Sequence, residues 1–175
     1  MNITTTAYKE SLHRTRRNSA TILSRTILLA KNAHDLAYKR FYYLCTSSGV
    51  HRQICSTIYH HNQLPGPSPV VCNTWEPLCS IRQIVRRELA IYEDLCRKQE
   101  YAQNHILILL RSLNAKLRQY HCLVLHLLPS GGCDLNTGTD VSLPVIDFDS
   151  ILRILAGTAH VLESIENNLK QIQYC

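Results

Sequence analysis

The groups in this 175-residue chain that could do chemistry are eight cysteines, nine histidines and thirteen carboxylates. The cysteines are Cys45, Cys55, Cys72, Cys79, Cys96, Cys122, Cys133 and Cys175. Their spacing contains no Cys-x-x-Cys, which removes a zinc ribbon and a thioredoxin-type redox motif. Cys45, Cys55, Cys72 and Cys79 fall in or beside one loop-like segment and Cys133 in another. Cysteines gathered in loops suit a disulfide-stapled secreted protein; the other reading is buried free thiols in a cytosolic helical protein. Cys55, His60, His61, Cys72 and Cys79 could offer zinc two thiolates and two imidazoles, but their spacings match no ligand pattern, and disulfides or free thiols are the simpler account. His121, His126 and His160 lie on helical stretches, where packing or surface roles are commoner than ligation. Glu93-Asp94 reads as a solvated helix face, and Asp147/Asp149 as a helix N-terminus complementing the dipole. A Gly-rich phosphate loop, His-Glu-x-x-His and Gly-x-Ser-x-Gly are all missing. The expectation is a binding protein without catalytic residues, cofactor or metal.

The elements that must position these groups are helical. Between Ser80 and Leu128 there is no Pro or Gly, and apolar residues recur at three- and four-residue steps. Ile81, Ile84, Val85, Leu89, Tyr92 and Leu95 form one stripe; Ile106, Leu109, Leu110, Leu113, Leu117, Tyr120, Val124 and Leu128 form a second. The phase weakens across Arg97-Lys98-Gln99-Glu100, and Gln103-Asn104 offers a polar restart, so two antiparallel helices joined by a tight turn are predicted. Ser80 with Gln83 fits a capping box, and Pro129-Ser130-Gly131-Gly132 a stop.

Upstream, Ile22, Leu23, Ile27, Leu28, Ala30, Ala33, Leu36, Ala37, Phe41 and Leu44 mark a long first helix from Ser19. Downstream, Asp147 or Asp149 caps a last helix with Phe148, Ile151, Leu152, Leu155, Ala159, Leu162, Ile165 and Leu169 on its apolar side. Gly157 interrupts that helix, and its missing side chain offers room for a neighbour. The connections at 46–79 and 129–146 hold all six prolines and most glycines, with no sustained period in the first. Long, short and long links predict an all-α four-helix bundle, up-up-down-down with two long crossover connections.

Residues 1–18 read as a flexible basic N-terminal arm and 19–175 as a single helical domain. Arg14-Thr-Arg16-Arg17 is read first as a solvated basic tail and second as a processing site. Asn2-Ile3-Thr4 is a weak glycosylation sequon. No apolar leader is seen in residues 1–17, so a secreted chain would be a mature form or leave the cell without one. The longest apolar run, Ile106 to Leu110, is far too short to insert in a membrane. Net charge is +6, scattered enough that nucleic acid is not expected as a partner.

With four helices and these links in view, the chain resembles the long-chain helical cytokines of the interleukin-6/interleukin-12 superfamily. Phe41-Tyr42-Tyr43-Leu44-Cys45-Thr46-Ser47 resembles the aromatic-Cys-Thr-Ser signature of interleukin-12 alpha subunits, and Ile91-Tyr92-Glu93-Asp94-Leu95 resembles their Ile-Tyr-Glu-Asp-Leu run. That resemblance implies a disulfide-linked, receptor-like beta subunit, with Cys72 as the candidate inter-chain cysteine and Cys55 as alternate. The chain departs from that branch in having no cysteine near the start of the last helix to pair with Cys45. It also has Thr158 to His160 where the branch carries a beta-docking arginine. Asn73-Thr74-Trp75-Glu76-Pro77-Leu78 is similar to the Trp-x-x-Leu of the ciliary neurotrophic factor/leukaemia inhibitory factor branch. Phe148 matches the first half of that branch's Phe-x-x-Lys, with Ile151 in the lysine's place. The superfamily implies a secreted protein that brings class I cytokine receptor chains together for JAK/STAT signalling. Arg25 and Arg111 would contribute to one receptor surface on the first and third helices. Trp75 and Phe148 would lie near each other in a second, with a loop plug over the core as the alternative role for Trp75. An intracellular all-helical adaptor is the reading from another class.

Overall fold

The computed structural model describes residues 3–98, 104–124, 133, 143 and 146–175. Among these the chain is all-α: α1 Ile3–Ser47, α2 Arg52–His61, α3 Glu76–Lys98, α4 Asn104–Val124 and α5 Phe148–Gln173. The turn expected at 99–103, the stop at Pro129–Gly132, His126 and most of the second connection lie outside the described residues.

In α1 the residues buried at helical spacing are Leu23, Thr26, Ala30, Ala33, Ala37, Phe41 and Cys45. Three alanines in that stripe let neighbouring backbones come close, and the Thr26 hydroxyl donates back to the Ile22 carbonyl at 2.7 Å. The residues expected to form a flexible arm are instead the first turns of this helix. Residues 5–18 are exposed apart from half-buried Leu12 and Thr15, and the core begins at Ser19. The helix stops where Gly49, at φ 87°, donates its N–H to the Thr46 carbonyl.

A ten-residue helix, α2, sits in the first connection where no period was expected. Its signal is short: Cys55 and Tyr59, one turn apart, are its buried residues. A helix this short is marginal by itself. Tertiary contacts hold it, through a disulfide from Cys55 to Cys45 and through Tyr59 packed edge-on to Tyr38 and tilted against Phe41 and His160.

The start of α3 lies at Glu76, four residues before the predicted cap, with Pro77 in the first turn where its missing N–H costs nothing. Ser80 is therefore inside the helix, and its hydroxyl accepts from the Ser68 N–H at 2.9 Å. At α5 the expected cap is present: Asp147 accepts from the Ser150 N–H at 2.7 Å.

Cross-helix contacts give the directions. Ser24 meets Gln173 at 3.1 Å while His34 meets Glu163 at 3.9 Å, so α1 and α5 run oppositely. Arg82 contacts His121 while Glu93 meets Arg111 at 3.8 Å, so α3 and α4 also run oppositely. The first connection follows α5 downward. Leu64 sits against Gly157, where an added Cβ would lie 2.8 Å from Leu64 Cδ1, and Cys72 is bonded to Cys175.

Between α3 and α5 lies a buried polar chain. The Tyr92 hydroxyl donates to Thr158 Oγ1 at 3.0 Å, and the Thr158 hydroxyl donates to Glu88 Oε2 at 2.9 Å. Burial pushes the Glu88 carboxyl up, opposed only in part by the Thr158 bond and the Arg87 charge. A carboxyl raised on folding stabilises the fold below its ordinary value near 4.3, and that contribution is lost as pH rises through the folded value. Glu88→Gln should therefore leave stability at about pH 4 little changed and gain on the parent as pH rises. Thermal unfolding of both proteins from pH 4 to 9 checks this; a constant offset contradicts it.

Candidate functional site

Three disulfides shape the surfaces: Cys45–Cys55, Cys72–Cys175 and Cys79–Cys133, with Cys96 half-buried and Cys122 exposed as free thiols. Cys72, expected as an inter-chain link, is paired within the chain, because the first connection delivers it beside the end of α5. Cys55 and Cys79 are also spent, in separate disulfides, so the zinc set of Cys55, Cys72 and Cys79 with His60 and His61 has no thiolates to offer. Among the described residues no group of three or more His, Cys, Asp or Glu is placed to hold a metal ion.

Trp75 precedes α3 and is 6% exposed. Its ring lies 4.6 Å from that of His121, near the end of α4. Burial, and then the Arg82 charge, hold His121 below its ordinary value, which fits a neutral ring against the indole and the guanidinium. Of the two roles considered for Trp75, the structure shows the plug.

Phe148, the first residue of α5, is 42% exposed. Trp75 and Phe148 are not neighbours. Trp75 stands three residues from Cys72, which is bonded to Cys175 past the C-terminal end of α5, whereas Phe148 begins that 26-residue helix, roughly 38 Å away by helical rise. The expectation of one shared patch is thereby corrected: the crossover carries Trp75 to the opposite end of α5. Arg25 and Arg111 are both exposed, on α1 and α4, two helices that pack together. Arg111 also approaches Glu93 across to α3, a contact worth little at this exposure.

Near Phe148, Asp94 ties the second connection to α3. The Leu143 N–H donates to Asp94 Oδ2 at 2.8 Å, and Lys98 and Arg97 approach the same carboxylate at 3.1 and 3.0 Å. Lys98 also donates to the Leu143 carbonyl. The Leu143 N–H above all, then the two cations, hold the carboxyl below its usual range. Asp94 was expected to be a solvated face residue; it is buried and holds the Leu143 backbone.

Sequence reasoning missed the aromatic group around α2. Tyr42 and Tyr59 lie with ring centres 5.7 Å apart, Arg52 stands 5.7 Å over the Tyr42 ring, and Tyr43 beside them is 63% exposed. The run Phe41-Tyr42-Tyr43 was visible, but its partners come from a helix with too few turns to show a period.

No protein-family profile, curated protein or solved structure matches this chain. The described helices include none long and apolar enough to cross a membrane, and three disulfides fit an oxidising, extracellular environment.

Two measurements follow from this geometry. Trp75→Ala should cost about 3–5 kcal/mol in urea unfolding, as for other buried large-to-small changes; a loss under about 1 kcal/mol would mean the ring is not part of the core. Asp94 stabilises above its ordinary value and loses that contribution as pH falls through its depressed one. Asp94→Asn should therefore be less stable than the parent at pH 6 and equal to it near pH 2. A deficit that persists in acid contradicts the assignment.

Proposed function

We propose that this protein is a secreted helical cytokine of the interleukin-6/interleukin-12 type, which acts by bringing class I cytokine receptor chains together to trigger JAK/STAT signalling. The observation that carries the reading is chain direction: α1 opposes α5, α3 opposes α4, and the first connection descends α5 to start α3 where α5 ends. These directions are the ones expected of an up-up-down-down bundle of the growth-hormone and cytokine kind, and so support the reading. The resemblance of Phe41–Ser47, Ile91–Leu95 and the Trp75 and Phe148 motifs to that superfamily supports it.

Within the superfamily, both cysteines that the resemblance offers for a link to a beta subunit, Cys72 and Cys55, are bonded inside the chain. This favours a stand-alone factor of the ciliary neurotrophic factor/leukaemia inhibitory factor kind over an alpha subunit covalently joined to a receptor-like partner. Phe148 is the anchor of one receptor contact: an aromatic ring at the tip of a capped helix, able to enter a desolvated pocket at low entropic cost. The exposed α1/α4 surface with Arg25 and Arg111 supplies the other.

Binding to immobilised class I receptor ectodomains tests this. The parent should bind at least one of them, and Phe148→Ala should weaken that binding by about tenfold or more with an unchanged circular-dichroism spectrum. Binding that survives Phe148→Ala intact removes that residue from the contact, and binding to no receptor ectodomain removes the cytokine reading. Thiol titration of the denatured, unreduced chain separates the intracellular adaptor. A disulfide-bonded secreted factor exposes two thiols, Cys96 and Cys122, whereas a reduced adaptor exposes all eight.

A further inference from the structure

The +6 net charge is unevenly placed. Residues 3–34 carry six Lys and Arg against a single acid, Glu10, and α4 has three Lys and Arg with no Asp or Glu. α1 packs on α4, so these two stretches lie on adjacent helices, with Arg111 and Arg118 on the flank of α4 that faces α3. The α1 charge is densest towards the end where α5 finishes. There the first turns of α1 are exposed and carry Lys9, Arg14, Arg16 and Arg17, with Arg14 and Arg17 one turn apart. Arg16 and Tyr120 line the same cavity of about 470 Å³ between the ends of α1, α3, α4 and α5. Exposed Arg118, two residues before Tyr120, points to another face of α4, towards Arg82 of α3. Across on α3, Arg82 makes its hydrogen bond to the neutral His121 ring rather than to a carboxylate. Burial, then the like charges of Arg118 and Arg86, lower the Arg82 guanidinium. Cations crowded with a single acid, Glu10, among them raise the local potential and attract a polyanion.

We propose that the exposed first turns of α1, with Lys9, Arg14, Arg16 and Arg17, bind a sulfated glycosaminoglycan of the extracellular matrix or cell surface. The ligand class follows from what the surface has and lacks. Guanidinium forks suit tetrahedral oxyanions repeated along a linear chain. Single-stranded nucleic acid would call for aromatic platforms among the cations, and residues 5–18 hold one, Tyr8. A membrane surface would call for an apolar face opposite the basic one, and the same stretch offers little beyond Leu12 and Tyr8. The disulfides place the chain where sulfated polysaccharides are found. The inference rests on that extracellular placement and not on any receptor contact, so it is tested without a receptor.

The experiment measures the full disulfide-bonded chain on a heparin dodecasaccharide, a duplex DNA of equal charge and phosphatidylserine vesicles, each across a salt series. Two triple variants separate a site from net charge: Arg14→Gln/Arg16→Gln/Arg17→Gln, and Lys39→Gln/Arg52→Gln/Arg153→Gln as a control of equal charge at other places. Heparin binding at about 150 mM salt is expected, with affinity falling steeply as salt rises. The first variant should lose about tenfold or more and the control about twofold or less, both with unchanged circular dichroism. Equal losses in the two variants, stronger binding to DNA or vesicles than to heparin, or no heparin binding at that salt each overturn the proposal.

Discussion

The arrangement depends on a stretch of chain with no regular structure of its own, lying along α5. From Leu64 to Cys72 the first connection follows that helix in the same direction, and each step has a physical fit. Gly157 leaves space for Leu64, Gly66 lies so close to Ser164 that a Cβ would sit 3.0 Å from that residue's Cβ, and Asn168 donates to the Ser68 carbonyl. The Cys72–Cys175 bond then closes the segment across a sequence separation of 103. In the chain-entropy account, a loop of roughly 100 residues removes unfolded-state freedom worth about 4.7 kcal/mol. Because the segment ends at the foot of α5, α3 must start there, and the order of the remaining helices follows.

Once α3 is placed, its polar residues take roles that depend on what faces them. Glu88 and Tyr92 look inward to Thr158 and are buried; Asp94, at the far end, reaches the second connection at Leu143. An apolar residue at position 88 would pack as well or better, since a half-satisfied buried carboxyl is costly. What the Tyr92–Thr158–Glu88 chain adds is a preferred register between α3 and α5, because sliding either helix by a turn would leave three buried polar groups unpaired.

The same constraint distributes the exposed groups between the two ends of α5. At the start of α5 stand Phe148 and the Asp94-pinned connection. At its finish stand Trp75, two disulfides and the arginines of α1, α3 and α4. One end therefore offers an apolar anchor in a nearly neutral setting, and the other a concentrated positive charge.

Much of this was legible in the residues themselves. Period placed α3, α4 and α5 and the packed part of α1, since a helix buries one face at a fixed spacing whatever its neighbours are. Asp147 declared its cap because capping is a local bond between a side chain and the next turn. Gly157 marked a close approach without revealing Leu64 as the residue that approaches. Other features could not be read because they are relations between distant segments. Cys72 could be picked out as a crossover cysteine, but only the path of that crossover beside α5 decided that Cys175 is its partner. Trp75 had the composition of a binding anchor, and His121, forty-six positions later, made it part of the core. α2 is held by Cys45, the aromatic rings of α1 and His160 of α5. Local spacing determines which faces are apolar, whereas pairings among cysteines, rings and charges are set by the return path of the chain, which no local pattern encodes.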